Sequence, residues 1–336
     1  MSAIPAANTE SEPLLAVRNL QIAFGSSRGE LVAVDGVDLD VRPGEVLGIA
    51  GESGSGKSVT LRAILGLVRA PGHVSGQVLW RGRDLIGRPE REWRRVRGGE
   101  IGIIFQEPMT ALNPVLNVGL QILENLKEHT QLDGAARRAR AIELLDLVGI
   151  PAAASRLHDY PHQFSGGMRQ RAMIAIALAS NPKLLLADEP TTALDVTIQD
   201  QILKLILRLR DELKMSVVLV THDLGVIAQT CDRLAVMYAG RIVETGGVSP
   251  IFRAPRHAYT LGLLNSVPRA DLVRQPLASI PGQPPLLSQR PPGCAFAPRC
   301  RFATEDCRTT PPPLVEIEPG HASACIHPDQ VAAARS

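Results

Sequence analysis

Aromatic residues are scarce in this chain: only 3% of its 336 residues are Phe, Trp or Tyr. A core must therefore rest on Leu, Val, Ile and Ala, which help bring the hydrophobic fraction to 45%. Long apolar runs are missing too. Those at 184–187 and 217–220 are strand-sized, far short of the roughly 18–20 residues that cross a bilayer. Residues 1–10 have no basic stretch followed by an apolar one, so no secretory signal is read. The chain is expected to stay in the cytoplasm and to meet a membrane only through a partner. An excess of one charge is also absent. Lys and Arg number 36 against 34 Asp and Glu, a net of +2, which gives no electrostatic reason to expect nucleic acid. Cysteine is sparse, at five residues, yet four of them (Cys294, Cys300, Cys307 and Cys325) crowd the C-terminus. In a reducing compartment such clustering points to metal ligands before disulfides.

What is present suggests about two domains for this length. Residues 1–13 are small and polar and read as a disordered tail. From Leu14 to about Gly48, short Val/Leu runs alternate with turns, as in antiparallel strands. A short apolar strand at 46–50 is followed by a glycine-rich turn, and residues 58–67 then space Leu61, Ile64 and Leu65 as a helix would. Helical patterns dominate about 107–180. Two apolar β-type runs, 184–187 and 217–220, are separated by a helix over 197–213, an alternation that implies a parallel sheet flanked by helices. Beyond about Pro250 prolines cluster and periodicity fades. A boundary is expected near residue 265, with a small module over 266–336.

The stretch Gly51-Glu52-Ser53-Gly54-Ser55-Gly56-Lys57-Ser58 fits G-x-x-x-x-G-K-[ST] without mismatch. Glycines let the backbone curl so that successive N–H groups face a phosphate, and the helix that follows adds its positive end. Lys57 is expected to reach the β- and γ-phosphates of a nucleotide, and Ser58 to hold Mg²⁺. Val59, which continues the loop into the helix, is expected with residues 51–58 among the ATP-binding residues. Asp188 and Glu189 stand at the end of an apolar strand, where ligands of parallel sheets bind. Asp188 suits Mg²⁺ and Glu189 a general base, although either acid could instead cap a turn. His222 and Gln106 each follow a further strand and would reach the same edge, His222 to hydrogen-bond the γ-phosphate and hold the base, Gln106 to sense Mg²⁺ and the attacking water; alone, each would be weak evidence. Finally, Phe164-Ser165-Gly166-Gly167-Met168 opens a helix with a Ser cap and two glycines, a second site for an anion.

Taken together these motifs resemble the ABC ATPase family in order and spacing, over about residues 14–265. The resemblance implies an α/β P-loop ATPase with an antiparallel β subdomain and a helical subdomain at about 107–180. It implies ATP and Mg²⁺ as ligands. It also implies that Phe24 stacks on adenine, that Ser165, Gly166, Gly167 and Met168 contact ATP bound to another subunit, and that Asp195, the last residue of the Thr192-Ala193-Leu194-Asp195 motif, couples the two sites. Phe24 stands where Tyr is common, and Phe164 and Met168 replace the usual Leu and Gln.

Residues 253–269 and Pro292-Gly293-Cys294-Ala295-Phe296-Ala297-Pro298-Arg299-Cys300 are similar to the oligopeptide/dipeptide importer ATPases. That implies two transmembrane permease subunits, a second ATPase or a second copy of this chain, an external solute-binding protein, and a position on the cytoplasmic side of the membrane. Dipeptides or oligopeptides are the expected cargo, with nickel, glutathione or sugars as alternatives. A soluble ABC ATPase and a small-molecule kinase are the rival classes. Four thiolates suit zinc or an iron–sulfur cluster. No C-x-x-C knuckle is present. The resemblance implies a [4Fe–4S] cluster, with zinc or free thiols as the alternatives. Cys231 reads as a core residue.

Overall fold

The computed structural model describes residues 12–26, 29–192, 194–267 and 279–335. Most of the expected N-terminal tail, 1–11, lies outside them, as do Ala193 of the Thr192-Ala193-Leu194-Asp195 motif and residues 268–278 just past the expected boundary.

The described strands are β1 (Leu15–Ser26), β2 (Gly29–Val41), β3 (Val46–Ala50), β4 (Gly72–Trp80), β5 (Arg83–Asp84), β6 (Ile101–Ile104), β7 (Leu184–Asp188), β8 (Ser216–Val220), β9 (Arg233–Tyr238), β10 (Arg241–Gly247), β11 (Val315–Glu318) and β12 (His321–Ser323). Strand β2 alternates. Val37, Leu39 and Val41 are buried while Asp38 is exposed, the mark of an antiparallel strand with one wet face. It joins a four-stranded antiparallel sheet in the order β2-β1-β4-β5.

Strands β3, β7 and β8 are buried at every position, as parallel strands covered on both faces must be. They sit inside the second sheet, ordered β11-β12-β10-β9-β3-β8-β7-β6, in which β9, β3, β8, β7 and β6 run parallel. Because side chains alternate along a strand, Leu184 and Leu186 enter one core with Leu61 and Ile64, while Leu185 and Ala187 enter another with Ile122 and Leu144. The sheet is thus gripped from both sides, and the C-terminal ends of its parallel strands share one edge.

The helical stretch contains Val118–His129, Gly134–Leu147 and Gly166–Ala177. Asn117, Asp133 and Ser165 cap these helices by accepting N–H bonds from Leu120, Ala136 and Met168. The helix expected over 58–67 is Lys57–Ile64, shorter because the Leu67 N–H turns back to the Arg62 carbonyl at 2.8 Å.

Past residue 250 the fading periodicity hides regular structure. Helices Val248–Arg253, Ala258–Asn265 and Pro328–Ala333 and the hairpin β11–β12 occur there. Each is too short for a period to register, and tertiary contacts hold them. Strand β12 pairs antiparallel with β10, and Phe296 and Val331 share a core with Val236 and Tyr238 of β9.

Candidate functional site

Strand β3 ends at Ala50 and the loop 51–58 crosses to the helix Lys57–Ile64. Glycine is required at Gly56, whose φ is +106° and where a Cβ would lie 2.7 Å from the Met237 Cε. At Gly51 a Cβ would collide with the Met237 carbonyl. No side chain caps the helix at Gly56, so its first N–H groups stay open to an anion. The Lys57 ammonium donates to the carbonyls of Gly51 (2.7 Å) and Glu52 (2.9 Å). Burial lowers its pKa, opposed by Glu189, Asp188 and Glu52.

Ser58 Oγ donates to Asp188 Oδ1 at 2.8 Å. Desolvation raises the Asp188 pKa, Ser58 and Arg62 lower it, and Glu189 raises it further. A buried acid beside another acid calls for a cation. A hydroxyl and a carboxylate are the hard oxygen donors that suit Mg²⁺.

Glu189 follows β7, with φ of +45° and its N–H donated to the Val220 carbonyl at 2.9 Å. Its side chain is 13% exposed. A single oxygen, Oε2, takes Thr192 Oγ1 (2.8 Å), Gln106 Nε2 (3.3 Å) and His222 Nδ1 (3.3 Å). These neighbours come from the ends of β6, β7 and β8, which the parallel register sets side by side. The structure therefore brings Gln106, Asp188, Glu189 and His222 together with Lys57 and Ser58. Thr192 had no role assigned from sequence, although its place three residues after Glu189 was a usable signal.

Other candidates lie apart. Ser165 caps its helix, its Oγ accepting from the Met168 N–H at 3.3 Å, and both it and Gly166 are exposed. Among the described residues no hydrogen bond joins 165–167 to the loop 51–58. Asp195 caps the helix Val196–Leu213 through the Ile198 N–H at 3.0 Å. Phe24 is half-buried on β1, across from Leu31 and Gly72.

The cysteine site is corrected by the structure. Cys294, Cys300, Cys307 and Cys325 do line one cavity, but it measures about 20 Å³, room for about one water. Among the described residues no three His, Cys, Asp or Glu side chains converge as a metal-holding group. Burial also pushes the thiols of Cys294, Cys300 and Cys325 upward, the last to about 11. The side chains fit neither a [4Fe–4S] cluster nor zinc. Cys231, expected in the core, is a free thiol that is partly buried, packed against two of the apolar cores beside Gly48 in the middle of β3.

A phosphate loop on a parallel sheet, a carboxylate pair at the adjoining strand end and an open Ser-Gly-Gly helix start define an ABC-type ATPase cassette. Residues 34–192 match the family model described as ABC transporter, and residues 243–307 that described as oligopeptide/dipeptide transporter, C-terminal region. The oligopeptide transport ATP-binding protein OppD of Escherichia coli (strain K12) is 46% identical over 325 residues, 97% of this chain and 96% of that protein. OppD of Bacillus subtilis (strain 168) is 51% identical over 321 residues, 94% of this chain and 90% of its own length. A solved dimeric ATP-binding cassette, in a post-hydrolysis state bound to ADP and Pi, aligns with a TM-score of 0.63 at 30% identity, covering 70% of this chain and 98% of that one. The chain belongs to the oligopeptide/dipeptide branch of the ABC transporter ATP-binding proteins.

Proposed function

We propose that the chain hydrolyses ATP at the loop 51–58 to drive the uptake of dipeptides or oligopeptides through partner permeases. The observation that carries this reading is the single Glu189 oxygen held by Gln106, Thr192 and His222 beside the Ser58–Asp188 pair. As a member of its family the chain is a transport ATPase and the ATP-binding subunit of a peptide importer.

In this reading Lys57 and the loop N–H groups of Ser53, Gly54 and Gly56 receive the phosphates, Gly51, Glu52 and Ser55 shape the loop around them, and Phe24 and Val59 complete the ATP contacts. Ser58, Asp188 and Gln106 hold Mg²⁺, which when bound neutralises phosphate charge. Glu189 orients a water and takes its proton as the water oxygen bonds to the γ-phosphorus. The bond from that phosphorus to the β-phosphate oxygen breaks, leaving ADP and phosphate. Gln106, His222 and Thr192 keep the Glu189 carboxylate aimed.

The exposed 165–167 turn with Met168 is suited to meet the γ-phosphate of ATP on a second ATPase subunit, with Asp195 coupling the two sites. Since ADP lacks that phosphate, hydrolysis would loosen the pair and reset the permeases. Two permeases, an external solute-binding protein and a peripheral position on the cytoplasmic face complete the proposal. Among the described residues no helix is long and apolar enough to cross a membrane. Residues 14–265 are taken as the motor and 266–336 as an appended module.

Phosphate release by the full chain, followed by reconstitution with its permeases, tests this. Mg²⁺-dependent release that peptide accelerates is expected; a chain that binds no ATP would sink the proposal.

A further inference from the structure

The C-terminal module does more than extend the sheet. Arg299 leaves it and reaches the phosphate loop. Its Nη1 and Nη2 donate to Glu52 Oε2 and Oε1 at 2.7 and 3.0 Å, a two-pronged grip on one carboxylate. The same Nη1 donates to Tyr238 Oη at 3.2 Å, and Nε donates to the Pro281 carbonyl at 2.8 Å. The Arg299 side chain is only 5% exposed. Around it stand Tyr238, Tyr259 and Phe296, with ring centres 4.5 to 5.4 Å apart, so a chain poor in aromatics concentrates three of them here. Tyr259 completes the hold, its Oη accepting the Glu52 N–H at 2.7 Å.

Glu52 is the second residue of the loop, and its carbonyl is also an anchor of Lys57. Both its backbone and its side chain are therefore fixed from outside the motif. We propose that Arg299 is a positioning residue: through it the C-terminal module holds the phosphate loop in the shape that receives nucleotide. A planar guanidinium is suited to this, because its fork fixes the direction of a carboxylate as well as its distance. A loop already ordered loses less freedom on binding, so the grip raises affinity without touching the ligand.

This rests on the nucleotide site proposed above. ADP binding by the unsubstituted full chain tests that site, whereas differences among variants test Arg299. Arg299→Ala is expected to weaken ADP about tenfold, the size of one charge-assisted interaction, and, as a buried and bonded side chain is lost, to lower the thermal midpoint as well. Glu52→Gln, which removes the charge that Arg299 grips and turns one of its two acceptor oxygens into a donor, should weaken ADP by several-fold, and the double variant should bind no worse than Arg299→Ala. Unchanged affinity with a lowered midpoint, or losses that simply add, would overturn the proposal. Should Arg299→Ala not fold, Glu52→Gln alone decides: parental ADP affinity rejects it.

Discussion

The strand-end corner and the cysteine module each bring sequence candidates into one neighbourhood, yet only one of them makes a site. At the corner, Gln106 and His222 come within 3.3 Å of one Glu189 oxygen. In the module, four cysteines share a cavity without forming a donor group. Rigid support separates the two. Glu189 and its neighbours end parallel strands whose register is fixed by backbone hydrogen bonds and two apolar cores. The cysteines sit on turns and short helices that pack as small apolar side chains do. Convergence of reactive groups needs a scaffold that over-determines their positions, not only proximity.

The largest expected effect lies at the corner. Glu189→Gln should cut phosphate release by about 10²–10⁴-fold, the range for loss of a general base, while ATP binding persists in an equilibrium titration. Near-normal turnover would remove Glu189 from the role given to it.

The next effect probes the stability of the helix Ala258–Asn265, which shares a core with Phe296 and Val331 of the module. Desolvation lowers His257 from its ordinary 6.5 to about 4, with Glu244 opposing. Its Nδ1 accepts the Tyr259 N–H at 3.1 Å, which caps the helix Ala258–Asn265. An unfolded chain binds this proton near pH 6.5, and the folded chain only near pH 4. Stability should therefore fall as pH drops through that window, by about 3 kcal/mol in all. Denaturant unfolding at pH 7 and pH 4 should show His257→Asn losing less than the parent; equal losses would contradict the assignment.

Smaller again is Thr192→Val, which removes the 2.8 Å bond to Glu189 Oε2. A roughly tenfold drop in kcat with little change in KM is expected, on the order of one hydrogen bond to a charged group. An equal rise in KM would mean that Thr192 serves binding instead.

The smallest effect returns to the cysteines. Cys300→Ala should lower the unfolding free energy by about 1 kcal/mol, as for a small, half-buried side chain, and leave phosphate release unchanged. Collapse of the module would show that the four thiols act as a unit.

The identity of the chemistry was legible from residues close in sequence. The loop 51–58 and the Asp188-Glu189 pair carry their geometry locally, since a strand, a turn and a helix follow one another and backbone preferences decide the rest. The helix cap at Ser165 was readable for the same reason. Arg299 on Glu52 joins residues 247 positions apart, and β12 on β10 adds a strand from the far end of the chain. Neither leaves a local period or motif, because a long-range contact constrains only the final packing. Sequence alone thus determined which groups could meet a nucleotide. Tertiary structure decided which of them meet each other, because distances between remote segments are set by the sheet and its cores. For the same reason it denied the cysteines a metal that their number and clustering had suggested.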